Sequence, residues 1–80
     1  MITSSNIEQN MSLHLRNMIG TSGLTKKFIY NNLGMSRETF DSRLMNPFSF
    51  TYRDLIRLSE ALRVTVPDLF PKETEMKVSA

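Results

Sequence analysis

Between positions 25 and 46 the sequence sets out Thr25, Lys26, Lys27, Arg37, Glu38, Thr39, Ser42, Arg43 and Asn46. Their shared chemistry is reversible: they hold point charges and exchange hydrogen bonds. Nothing beside them points to bond making. His14 is the single histidine and there is no cysteine, so neither a thiolate zinc site nor a disulfide is available. No nucleophile stands at a recognisable spacing from a base, and neither a glycine-rich phosphate loop nor a metal cluster occurs. The residues argue against an enzyme and call for no metal or cofactor, and for no small-molecule substrate. Recognition of a partner is the chemistry left.

Charge narrows the partner. From His14 to Arg63 there are eight basic residues against four acidic ones, so this segment carries +4 within a chain of net charge +2. A basic middle with slightly acidic ends suits a polyanion. On charge alone, a solvated surface rich in lysine and arginine reads the same way. The 80 residues make one domain near the lower limit for folding without staples, so stability must come from the core or from a partner subunit. No apolar run nears the ~18 residues of a membrane span. "MITSSNIEQN" lacks the basic start and apolar stretch of a signal peptide, and a cytoplasmic protein is expected.

The elements that position these side chains are helices. Ile7, Met11, Leu15, Met18 and Ile19 make one face of a first helix, with Ser5 and Glu8 as its capping box. Thr25, Ser36 and Thr51 each sit at a helix start, and each is spanned by an apolar pair: Leu24 with Ile29, Met35 with Phe40, Phe50 with Leu55. Three such hydroxyl caps with hydrophobic staples place helices at 25–33, 36–45 and 51–63. Phe28, Ile29 and Leu33 mark the second, Phe40 and Leu44 the third, and Leu55, Leu58 and Leu62 the fourth. In "TVPDLF", Thr65 caps a last turn that returns Val66, Leu69 and Phe70 to the core. No strand period is convincing. The expected fold is all-α, a compact bundle of four helices plus a short C-terminal helical turn over 6–70, with flexible ends at 1–5 and 71–80.

Gly34 closes the second helix in a left-handed conformation and Ser36 opens the third. So short a link forces the two helices to cross steeply, at roughly 90–120°. Phe40 and Leu44 then anchor the third helix, leaving Arg37, Glu38, Asp41, Ser42 and Met45 outward, with Thr39 and Arg43 at the boundary. Such a helix suits the major groove of DNA.

"LTKKFIYNNLGMSRETFDSRL" followed by "FTYRDLIRLSEALRVTVPDLF" resembles the Cro- and phage-repressor-type, or XRE-like, helix-turn-helix domains over roughly residues 13–70. "TFDSRLMNPFSFT" is similar to a subset common in phage-like and mobile-element regulators. The resemblance implies a lambda-repressor-like fold and a small transcriptional regulator, a repressor, acting at the bacterial nucleoid. It implies a homodimer on double-stranded DNA, with half-sites roughly 34–36 Å apart. Arg37, Glu38 and Thr39 would meet base edges, and Ser42 and Arg43 further bases or a phosphate. Thr25, Lys26, Lys27, Asn46 and Tyr52 would meet phosphates. Val66, Leu69 or Phe70 would serve the dimer. Tyr30 departs from the family's small residue in helix two, and the negative charges of Glu38 and Asp41 are poor neighbours for phosphates. The alternative is a protein-interaction module, an antirepressor or adaptor, on the same fold.

Overall fold

Hydroxyl side chains start three of the four helices. In the computed structural model, which describes residues 4–71, the order is α1 (Ser4–Thr21), α2 (Lys26–Asn32), α3 (Arg37–Met45), a 3₁₀ turn (Pro47–Ser49), α4 (Tyr52–Leu62) and a second 3₁₀ turn (Val66–Leu69). The chain is thus an all-helical bundle, with no strand among the described residues. Thr25 Oγ1 accepts from the Phe28 N–H at 3.1 Å and Ser36 Oγ from the Thr39 N–H at 3.2 Å. At α4 the cap is reciprocal: Thr51 Oγ1 accepts from the Asp54 N–H, and Asp54 Oδ2 accepts from the Thr51 N–H, both at 3.1 Å. Each cap satisfies a donor that the helix cannot, which is worth ~1 kcal/mol.

Two helices end in the same way on different residues. After α2, Gly34 takes φ 70° and the Met35 N–H donates to the Tyr30 carbonyl at 3.1 Å. After α4, Arg63 takes φ 59° and the Val64 N–H donates to the Ser59 carbonyl at 2.9 Å. Both are Schellman closures. Glycine adopts that conformation freely, whereas a residue with a Cβ is strained by roughly 1 kcal/mol.

The core is one cluster drawn from every helix: Met11, Leu15, Ile19, Ile29, Leu33, Phe40, Leu44, Phe50, Leu58 and Leu69. Phe40 is its centre, with ring centroids 6.2 Å from Tyr30 and 6.5 Å from Phe50. Ser12 is buried in α1 and donates its hydroxyl to the Leu44 carbonyl at the end of α3. Glu8 Oε2 accepts from the Phe48 N–H at 3.1 Å. His14 Nε2 donates to the Asp68 carbonyl at 2.8 Å.

Several expectations change. α1 begins at Ser4, one residue ahead of the capping box expected at Ser5 and Glu8. Glu8 is turned instead to the 3₁₀ turn. Phe28 is exposed, because the seven-residue α2 buries the single stripe of Ile29 and Leu33. Phe70 is half exposed while its neighbour Leu69 fills the core. Pro71, assigned to the tail, is buried. The remaining end segments, 1–3 and 72–80, lie outside the described residues.

Candidate nucleic-acid interface

The turn from Leu33 to Ser36 separates α2 from α3 by four residues. Phe40 and Leu44 are buried on α3, while Arg37, Glu38, Ser42 and Met45 are exposed and Asp41 is intermediate. At about 100° per residue, Arg37, Asp41, Met45, Glu38 and Ser42 follow one another across an arc of about 140°. That arc is a single outward face. It carries donors and acceptors at both ends and an apolar methionine, 60% exposed, between them.

Thr39 sits at its margin. Its N–H and hydroxyl are both engaged with Ser36 Oγ, at 3.2 and 3.0 Å. Arg43 lies about 100° beyond Ser42 and is turned away from the face. Its Nη1 meets Asp54 Oδ2 at 2.9 Å, with side chains 33% and 12% exposed. Arg43 thereby fastens α3 to the capped start of α4, apart from the outward face that carries Arg37, Glu38 and Ser42. Asp54 serves two ends at once, the Thr51 N–H and the Arg43 guanidinium.

Asp41 makes a second bridge. Lys26 Nζ lies 2.8 Å from Asp41 Oδ1, and Arg37 Nε lies 3.7 Å from Asp41 Oδ2. One carboxylate thus ties the first residue of α2 to the exposed face of α3. Lys26 is not an unoccupied phosphate binder in this arrangement, and Asp41 has a structural reason to be acidic. Both partners are about half exposed, so the pair is worth ~0–1 kcal/mol and can open. Lys27 is exposed and, among the described residues, has no carboxylate partner.

Lys26, Lys27, Tyr30 and Arg37 line a cleft of about 380 Å³ between the starts of α2 and α3. Tyr30 packs its ring on Phe40 at the crossing and also walls this cleft. Three cations and a phenol around one opening suit an anion. The Thr25 hydroxyl oxygen is occupied by the Phe28 N–H. Asn46 caps α3: its N–H donates to the Ser42 and Arg43 carbonyls, and its Nδ2 donates to the Ser42 carbonyl at 3.2 Å. Tyr52 stands 70% exposed at the first position of α4.

Sequence reading missed the Asp41 and Asp54 bridges. The i, i+4 spacing of Arg37 and Asp41 was a visible signal. The long-range pairs gave none. Among the described residues, no group of three or more His, Asp or Glu could hold a metal ion, and no helix is long and apolar enough to cross a membrane. A scan against protein-family models, a search of curated proteins and a search of solved structures each returned no match to this chain.

Proposed function

We propose that this protein is a small sequence-specific binder of double-stranded DNA that regulates transcription as a repressor and acts as a homodimer at the bacterial nucleoid. The observation that carries the reading is the outward arc of α3 beside the cationic cleft. A helix that buries Phe40 and Leu44 and presents Arg37, Glu38, Ser42 and Met45 fits the width of a major groove. Its neighbours Lys26, Lys27 and Arg37 are placed for the flanking phosphates. The resemblance of residues 13–70 to XRE-like domains supports the same reading.

In this mechanism Arg37 donates to guanine O6 and N7, Glu38 accepts from a cytosine amine, and Met45 touches a thymine methyl. Thr39 and Ser42 add hydrogen bonds at the margin. Lys27 supplies a standing phosphate contact and Tyr52 and Asn46 a hydrogen bond each, which fix register without reading sequence. Lys26 joins them when Asp41 lets it go. For the dimer, Val66 and Phe70 remain accessible, whereas Leu69 is buried within the protomer.

The direct test is titration of the pure protein against mixed-sequence duplex at about 50 and about 200 mM salt, followed by selection from random duplexes. Several neutralised phosphates give an affinity loss of orders of magnitude between the two salts. Absence of binding at the lower salt refutes the proposal.

A second reading, a protein-interaction module, draws on the exposed apolar side chains Met45, Phe48 and Tyr52 within eight positions of sequence. Such side chains are enriched at protein interfaces. A stoichiometric protein complex without duplex binding is the result that favours it.

A further inference from the structure

A different hollow lies between α1 and α3. It has a volume of about 470 Å³ and is lined by Arg16, Ile19, Gly20, Lys26, Asp41, Leu44 and Met45. That volume is in the range of small-molecule sites, about 300–1,000 Å³. Its walls are mostly hydrocarbon, from Ile19, Leu44 and Met45, and its polar groups are few.

Gly20 is the informative wall. It lies within α1, where glycine is less stable than alanine by ~1 kcal/mol. No backbone need explains it, because the glycines with positive φ are Gly23 and Gly34. No packing need explains it either: a Cβ built at Gly20 meets no atom within 4 Å. Gly20 lines the hollow, and a side chain added there would extend into open space rather than against a wall.

The charges around the opening are unequal. Asp41 is already held by Lys26 at 2.8 Å. Arg16 donates through Nε to the Ser12 carbonyl at 3.4 Å, and among the described residues it meets no carboxylate. An apolar hollow beside an arginine fork without an anion is complementary to one class of ligand. We infer that the α1–α3 hollow binds a small amphipathic anion, an apolar aromatic or short-chain body on Ile19, Gly20, Leu44 and Met45, with a carboxylate or sulfonate on Arg16. The hollow shares Asp41 and Met45 with the outward arc of α3, but the inference does not rest on the DNA reading.

The test uses 1-anilinonaphthalene-8-sulfonate as probe, with the full chain and fluorescence as readout. One probe should bind per chain with a blue-shifted emission. Gly20→Leu fills the hollow and raises helix propensity, so the variant folds at least as well as the parent. It should weaken binding by at least about tenfold. Arg16→Gln should weaken it by about tenfold, as for loss of a charge-assisted hydrogen bond. The neutral analogue N-phenyl-1-naphthylamine should bind the parent more weakly than the sulfonate. Phe28→Ser, at an exposed apolar side chain elsewhere, should change nothing. The inference is overturned if Gly20→Leu binds within about twofold of the parent, if the neutral analogue binds equally well, or if Phe28→Ser abolishes the signal.

Discussion

Replacing Asp41 by asparagine keeps the size and hydrogen-bonding capacity of the side chain and removes its charge. The carboxylate stands 2.8 Å from Lys26 Nζ and 3.7 Å from Arg37 Nε, both on the surface that would meet DNA. Three consequences can be worked out. Stability should change by less than about 1 kcal/mol, since exposed ion pairs contribute little. Removing a negative charge at about 7 Å from a phosphate relieves ~0.6 kcal/mol at the dielectric constant of water. With two phosphates beside it, duplex binding should strengthen by roughly 1.2 kcal/mol, or about eightfold. Released Lys26 can also neutralise one more phosphate, so the slope of log affinity against log salt should steepen by about 0.9. Fluorescence anisotropy with a labelled mixed-sequence duplex, at three salt concentrations between about 50 and 200 mM, reads both quantities. If Asp41→Asn binds no more tightly than the parent and its slope is unchanged, Asp41 does not face the phosphates and the placement of DNA on this arc is wrong.

Arg37→Ala should relax base preference at one position and cost ~1–3 kcal/mol of discrimination, whereas Lys27→Ala should weaken all sequences alike and flatten the salt slope by about one, as selection and salt titration would show. Asp54→Ala removes the reciprocal half of the α4 capping box and strips Arg43 of its partner; the summed loss of ~2–4 kcal/mol should lower the melting temperature by more than about 10 °C. A fall of under about 2 °C would show that the bridge fastens nothing. Arg63→Gly should relieve the left-handed strain at φ 59°, adding ~0.5–1 kcal/mol and raising the melting midpoint by several degrees.

What was legible in the sequence was local. Thr25, Ser36 and Thr51 cap as their positions imply, because a cap and its N–H partner lie within three residues of each other. Gly34 closes α2 for the same reason. Arg63 performs the same closure, but no residue type announces it, since an arginine in that conformation is held there by its neighbours. Phe28 and Phe50 are alike as letters. Phe50 is buried beside Phe40 and Phe28 is exposed, a distinction made by tertiary packing alone. At the site, the outward face of α3 followed from helical period, which placed Arg37, Glu38, Ser42 and Met45 outside the Phe40–Leu44 anchor. The partners of Lys26 and Arg43 did not follow, because Asp41 and Asp54 reach them across 15 and 11 positions.

The anchors of α3 and its presented side chains occupy different positions. Phe40 and Leu44 pack, Arg43 bridges to Asp54, and the Leu44 carbonyl receives Ser12; Glu38, Ser42 and Met45 take no part in any of these. Substitutions at exposed positions of this kind usually change stability by no more than about 0.5 kcal/mol. Evolution, or an engineer, can therefore rewrite what the helix presents while leaving the frame that holds it untouched. A library randomised at 38, 42 and 45 would be a library of folded proteins with different outward faces.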